Sequence, residues 1–135
     1  ADFFGSPSMN LMAGEIVQIG AGAHFRSASF DVALPGRLQN AKPGPITLGI
    51  RPEHVGVGSN NGGPQAASLP VRLVEPLGRD TLLYFDAGSE RAFVAISEGL
   101  AMADVQVGAP LSLSFDPERL HLFGADGRRL ARHHA

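Results

Sequence analysis

Short apolar runs that alternate with polar residues recur along this chain, and a period of two residues is the pattern of β-strands with one buried face. The segment PLSLSF (110–115) is the clearest case, because Leu111, Leu113 and Phe115 alternate with two serines. Further runs of this kind are EIVQIG (15–20), ASFDVAL (28–34), PITLGI (45–50) and SLPVRLVEPLG (68–78). Two more runs, DTLLYFDAG (80–88) and RAFVAI (91–96), predict a hairpin. The sequence therefore predicts an all-β sandwich or barrel.

Helical signals are few. Only EGLAMAD (98–104) is long enough for a couple of turns, and Gly99 weakens it. Pro52 and Pro117 suit the first position of a single helical turn, where a missing N–H costs nothing. Asp116 is a candidate N-cap for the second of these turns.

The chain divides into two strand-rich halves, residues 14–57 and 69–124. The segment 58–68 between them is rich in Gly and Asn, which predicts a loop. Residues 125–135 form a basic tail that we expect to fray. We expect residues 14–124 to form one domain, because 135 residues bury enough surface for one core.

Composition argues against several classes of protein. The formal charge is -2, so the basic surplus typical of nucleic-acid binders is missing. The chain has no cysteine, so it cannot form disulfides or cysteine-ligated zinc sites. No apolar run approaches the about 20 residues of a membrane-spanning helix, and the first residues do not resemble a signal peptide. Because the chain begins with Ala1, we expect it to be a fragment of a longer protein.

Catalytic motifs fail on spacing. GAGAHF (20–25) carries Phe25 where a dinucleotide-binding G-x-G-x-x-G needs its last glycine, so we interpret it as a strand turn. No phosphate-binding Gly-Lys-Ser/Thr and no G-x-S-x-G elbow occur. The five histidines show no metal-ligand spacing. We therefore predict no catalytic, cofactor-binding or metal residues in this chain.

The stretch LGIRPEHV (48–55) places a cation, a proline, a carboxylate and an imidazole in succession. The pairs Arg51/Glu53 and Asp116/Arg119 could serve acid–base chemistry. We favour a structural role, in which a carboxylate accepts unpaired backbone N–H groups at a turn and a guanidinium bridges two loops.

Four stretches carry a resemblance to a known family. FFGSPSMN (3–10), LGIRPEH (48–54), VEPLGRDTLLYF (74–85) and DPERLHLFGADGRRL (116–130) occur in order. Together they resemble the C-terminal regulatory domain of ATP-binding subunits of ABC importers of the maltose and glycerol-3-phosphate class. Departures from the family pattern are Gly124, where the family often has Asp, and the Gly/Asn-rich loop.

The resemblance implies an OB-like β-barrel with a TOBE-type segment, and it implies that residues 1–13 are a linker after a nucleotide-binding domain that this chain lacks. ATP and Mg²⁺ would bind in that domain. The implied role is regulation and dimerisation, as a homodimer, in a cytoplasmic parent held at the inner face of the membrane by permease subunits. A regulatory protein is a further implied partner, and nucleic acid is not. The family-motif residues to which the resemblance assigns structural or regulatory roles are Gly5, Ser6, Pro7, Met9, Asn10, Gly49, Arg51, Pro52, Glu53, His54, Glu75, Leu77, Gly78, Asp116, Pro117, Arg119, His121, Leu122 and Phe123.

Two alternatives remain open at this point. The first is a sensor of an oxyanion or a sugar, with hydrogen-bond donors from Arg51, Arg72, Arg79 and Ser97. The second is a single-stranded nucleic-acid-binding OB domain, against which the net acidity and the lack of a Tyr/Trp platform argue.

Overall fold

The computed structural model describes residues 8–58, 64–99 and 105–124. In these ranges the regular elements are ten β-strands and three single turns of 3-10 helix. The strands are β1 (Asn10–Ile19), β2 (Gly22–Arg26), β3 (Asp31–Ala33), β4 (Gly44–Ile50), β5 (Val55–Val57), β6 (Gln65–Leu77), β7 (Asp80–Phe85), β8 (Phe93–Glu98), β9 (Pro110–Phe115) and β10 (His121–Phe123). The 3-10 turns span Gly36–Leu38, Pro52–His54 and Pro117–Arg119. The predicted all-β class with single-turn helices is confirmed.

The strands form two antiparallel five-stranded sheets. The first has the order β10-β4-β1-β2-β3, and the second has the order β5-β9-β6-β7-β8. Each sheet thus contains one short strand that directly follows, in the chain, a strand of the other sheet. β5 follows β4 directly but pairs with β9, and β10 follows β9 but pairs with β4.

The two proline-centred turns stand at these crossings. The Pro52 turn (Pro52–His54) lies between β4 and β5, and the Pro117 turn (Pro117–Arg119) lies between β9 and β10. A single turn led by proline ends one strand and redirects the chain, because proline has no N–H for the ladder. The two halves of the chain therefore exchange a strand and share one barrel.

The core lies between the two sheets and draws on both halves. Its fully buried side chains include Phe25, Leu48, Leu83, Phe85 and Leu113. The rings of Phe30, Phe93 and Phe115 pack with centroids 5.2–5.8 Å apart. Neither sheet could bury its inner face without the other, so residues of both sheets share one hydrophobic core.

The structure differs from the sequence analysis at several strand boundaries. In the segment 20–25 only Gly20 and Ala21 form the turn, and β2 begins at Gly22. β1 begins at Asn10, within the segment assigned to the linker, and β6 begins at Gln65, within the segment assigned to the loop. Most of the helix expected at 98–104 lies outside the described residues, and β8 continues to Glu98.

Candidate functional site at the seam between the sheets

The motif residues gather where the two sheets meet, a region called the seam here. It comprises the start of β1, the end of β4, β10, the Pro52 and Pro117 turns and the facing edge of β8. Residues from three of the four motif stretches meet there. Gly5, Ser6 and Pro7 lie outside the described residues.

Gly49 is the centre of one cluster at the seam. It pairs across the first sheet with Leu11 of β1 and His121 of β10. A Cβ at this position would lie 2.7 Å from Sδ of Met9 and 2.9 Å from Cε2 of Phe123, well inside van der Waals contact. The glycine therefore lets two other motif side chains cover the strand.

Asn10 joins the first sheet to the second. Its side-chain Nδ2 donates to the carbonyl oxygen of Val94 over 2.8 Å, and the N–H of Val94 donates back to Asn10 Oδ1 over 2.9 Å. Val94 lies in β8, the edge strand of the second sheet, and Asn10 is 7% exposed. The amide thus takes the place of a neighbouring strand and protects the edge.

The two proline-centred turns are bonded to each other. The N–H of Asp116 donates to the carbonyl oxygen of His54 over 3.2 Å. Asp116 also caps its own turn by accepting from the N–H of Glu118 at 3.0 Å, and Arg119 Nε lies 3.8 Å from its carboxylate. The predicted N-cap is therefore present.

The guanidinium at this corner belongs to Arg37, which the sequence analysis did not name. Its Nη2 donates to the carbonyl oxygens of Pro117 and Leu120, at 3.0 and 2.9 Å. Arg51 and Glu53 instead are exposed, and their side chains have no hydrogen bond or ion pair with the described residues. The structure differs here from the expected bracing by Arg51 and Glu53, because both residues are exposed and the buried residue of the turn is Pro52.

The other residues of LGIRPEHV face inward. Pro52 is fully buried and His54 is half-buried. Nδ1 of His54 is itself buried and has no hydrogen-bond partner among the described residues. Leu122 of β10 is also buried, while His121 and Phe123 are half-buried with their rings 6.4 Å apart.

Glu75, Leu77 and Gly78 lie away from the seam, on the β6–β7 hairpin. Gly78 has φ +71° in the two-residue turn, a conformation that favours glycine. The Tyr84 hydroxyl donates to Glu75 over 3.2 Å. Burial, and then this bond to a carboxylate, raises the pKa of Tyr84 above its usual range.

A groove that the sequence did not indicate opens at the seam. It has a volume of about 250 Å³ and lies between Ser8–Met12 and the segment 87–94. Met9, Leu11, Met12 and Phe93 supply apolar wall, and Arg91 stands at its margin. It sits directly beside the bonds between Asn10 and Val94.

The donors considered for an oxyanion or sugar sensor do not converge. Arg72 pairs with Asp86 at 3.4 Å, and Arg79 lies 3.8 Å from Glu98 at the opposite end of the β6–β7 ladder. Arg51 is at the Pro52 turn, and Ser97 pairs with Thr81 in β7. These four residues therefore form no common site.

A polar cluster on β2 and β3 has a structural character. His24 Nδ1 lies 2.9 Å from Asp31 Oδ1, and Arg26 Nη2 lies 3.1 Å from Asp31 Oδ2. The hydrogen bond with His24 is the main cause that lowers the pKa of Asp31 below its usual value, with help from Arg26 and against the effect of burial.

Within the described ranges no three His, Asp or Glu residues are grouped as metal ligands. None of the helices described is long and apolar enough to cross a membrane.

Two family models match the chain. The MalK OB fold domain matches residues 5–55, and the TOBE domain matches residues 48–123. The overlap of the two matches, 48–55, is the stretch LGIRPEHV that leads from β4 through the Pro52 turn.

Curated relatives are similar over most of this chain. Identity is 34% with the xylose/arabinose import ATP-binding protein XacK of Haloferax volcanii, over 93% of this chain and 33% of that protein. Identity is 38% with the sn-glycerol-3-phosphate import ATP-binding protein UgpC of Chromohalobacter salexigens, over 96% of this chain and 34% of that protein. Identity is 33% with the maltose/maltodextrin import ATP-binding protein MalK of Vibrio vulnificus, over 98% of this chain and 36% of that protein. The chain thus spans about a third of the length of the curated relatives it matches.

A solved structure shares the fold. The cytoplasmic molybdate-binding protein ModG superimposes with a TM-score of 0.61 at 14% identity, over 84% of this chain and 94% of that one. This likeness supports the OB/TOBE-type barrel predicted from the sequence.

Proposed function

The chain belongs to the TOBE domain family and begins with a MalK-type OB fold, and from this membership we propose that it is a non-catalytic regulatory and dimerisation domain of the ATP-binding subunit of an ABC importer. The solute imported by the parent protein is a sugar or a related compound. The supporting observation is that both family models together cover residues 5–123, while the relatives are import ATP-binding proteins.

The use of the motif residues agrees with a non-catalytic role. Gly49 allows close packing, the Asn10 amide bonds a strand edge, and the Asp116 carboxylate caps a turn. None of them presents a nucleophile or a proton-transfer group to an open cavity. Residues in these roles stabilise the shape of the barrel, and a domain that transmits or limits a motion requires a stable shape.

In this proposal the parent subunit has a separate nucleotide-binding domain that binds ATP and Mg²⁺. Two such domains close and open during hydrolysis, while the two copies of the present domain stay in contact and act as the pivot. The parent attaches to permease subunits at the inner face of the membrane. A regulatory protein that binds one conformation of this assembly shifts its population and so its activity.

The outer face of the second sheet is the surface we assign to the contact between copies. Leu73 and Leu77 of β6 are 52% and 53% exposed. They share this face with Leu82 of β7, which is buried but lies outside the core, and with Ile96 opposite it on β8. In this proposal the patch meets the same patch of a second copy, which is the arrangement of an isologous dimer.

Sedimentation equilibrium of the purified chain tests this assignment. We expect a monomer of 14.1 kDa in reversible equilibrium with a dimer. We expect Leu73→Glu to abolish the dimer, because it removes an exposed apolar side chain and adds a second carboxylate beside Glu75 on the same face. Ile19→Glu is the matched control, since Ile19 is 37% exposed and lies on β1 of the first sheet. A chain that stays monomeric at every concentration, or one that hydrolyses ATP by itself, contradicts the proposal.

Small-ligand sensing is the second candidate, because the fold is shared with a protein described as molybdate-binding. Calorimetry with molybdate, sulfate, glycerol 3-phosphate and maltose tests it. Saturable heat with any one of these compounds favours the sensor over a purely structural role.

A further inference from the structure

We propose that the groove at the seam is a binding site for a small molecule with one anionic group and an apolar body, such as an aryl or alkyl phosphate or carboxylate. The groove is defined by Ser8–Met12 on one side and by residues 87–94 on the other. This inference goes beyond the proposed role in a transporter and does not depend on it.

The size of the groove limits the ligand. Its volume is about 250 Å³, just below the roughly 300–1,000 Å³ of pockets that hold drug-sized molecules. The wall is mixed, with slightly more polar than apolar surface, and its apolar part includes Met9, Leu11 and Met12. Leu11 is 55% exposed although it lies on a strand of the barrel, so a bound apolar group would cover it. A body the size of a single ring matches this space.

The polar groups of the groove limit the chemistry of the ligand further. The side-chain amide of Asn10 is engaged at both ends by Val94. The hydroxyl of Ser89 donates to the carbonyl oxygen of Arg91 over 3.1 Å. Ser8 also has a partner of its own. Each of these groups therefore has only part of its hydrogen-bonding capacity left for a ligand.

Arg91 is the group left for recognition. Its guanidinium makes no hydrogen bond or ion pair with the described residues, whereas Arg26, Arg37, Arg72, Arg79 and Arg119 all have partners. A guanidinium presents a planar set of donors that fits two oxygens of a phosphate or a carboxylate. An anion on Arg91 with its apolar body on Met9 and Leu11, which lie together over Gly49, uses both the charge and the exposed apolar surface of the groove. An uncharged sugar carries no negative charge to pair with Arg91.

Isothermal titration of the whole chain with phenyl phosphate tests the site, with inorganic phosphate as the probe that lacks the apolar body. We expect saturable binding of phenyl phosphate at least tenfold tighter than that of inorganic phosphate. We expect Arg91→Gln to weaken it about tenfold, which is 1.4 kcal/mol. Arg79→Gln is the control, because Arg79 is an exposed arginine outside the groove, and it should leave the affinity unchanged.

Three results would overturn the proposal. One is the lack of saturable binding at millimolar phenyl phosphate. Another is equal affinity in the wild type and in a folded Arg91→Gln variant. The third is an equal loss in Arg79→Gln, since that would indicate a general attraction between anions and the basic residues of the surface.

Discussion

The N–H of Asp116 donates to the carbonyl oxygen of His54 over 3.2 Å, although 62 positions separate the two residues in the chain (116 minus 54). Each residue belongs to the place where the chain leaves one sheet and enters the other. The hydrogen bond therefore joins the two crossings of the barrel directly. The polar residues of LGIRPEHV and of its counterpart DPERLHL accordingly serve the connection between the sheets.

Replacing Asn10 with Ala should destabilise the chain by about 2 kcal/mol, because it removes two hydrogen bonds and leaves the edge groups of Val94 unpaired. Urea unfolding of both proteins measures the difference. Asn40→Ala is the matched control at an exposed turn, and its effect should stay within about 0.5 kcal/mol. Equal effects of the two substitutions would show that the amide of Asn10 does not hold the second sheet.

Replacing Gly49 with Ala should cost about 1–3 kcal/mol, because the new methyl group meets Met9 and Phe123. Thermal unfolding by circular dichroism provides the measurement. Adding Met9→Ala to this variant should recover part of the loss, since it frees the space that the methyl group needs. Gly36→Ala, at a position with open space around it, should be tolerated. A neutral Gly49→Ala would contradict the close packing of this cluster.

Arg37→Ala should destabilise the chain by about 1 kcal/mol, because it leaves the carbonyl oxygens of Pro117 and Leu120 without a donor. Arg51→Ala and Glu53→Ala should each change the free energy of unfolding by no more than about 0.5 kcal/mol, as is usual for exposed side chains without partners. Denaturant unfolding of the three variants ranks them. If Arg51→Ala and Glu53→Ala destabilised the chain more than Arg37→Ala, Arg51 and Glu53 would be the residues that brace this corner.

The cluster around Asp31 predicts a dependence on acid pH. The pKa of Asp31 is lowered in the folded chain from its usual 3.8, chiefly by the hydrogen bond with His24. A lowered folded pKa stabilises the fold fully above pH 3.8, and this contribution disappears as the pH falls through the folded pKa. Arg26 and His24 face the carboxylate directly, and Glu15 pairs with Arg26 from β1.

Unfolding of Asp31→Asn and of the wild type between pH 2 and pH 7 measures this contribution. The two stabilities should differ at neutral pH and converge below pH 3.8. The difference should be small, because the Asp31 side chain is 49% exposed. A gap that widens on acidification would reverse the predicted sign.

Strand alternation made the fold class predictable, and its failures have physical causes. β5 and β10 have three residues each, too few to show a period of two, so the exchange of strands was invisible in the sequence. β2 was interpreted as part of a turn because glycines precede it, yet its Ala23 and Phe25 are fully buried. The local alternation of apolar residues predicts which segments can form strands, whereas the pairing of these strands depends on tertiary contacts.

The seam was only partly predictable for the same reason. Gly49 and Asn10 were predicted through the resemblance and Asp116 as an N-cap, but the bonds that Asn10 and Asp116 make across the seam link residues far apart in the chain. Arg37 and Gln39 carry no motif. The amide of Gln39 nevertheless bonds the N–H and the carbonyl oxygen of Ala23, as Asn10 does with Val94. Arg91 became a candidate only when the groove beside it was seen.

Hydrogen exchange followed by mass spectrometry tests most directly whether the seam makes the two sheets one cooperative unit. Peptides from β1 and β4 report on the first sheet, and peptides from β6 and β7 report on the second. We expect Asn10→Ala to lower the protection of both sheets by the same free energy. Loss of protection in the first sheet alone, with the second unchanged, would contradict the interlocked barrel.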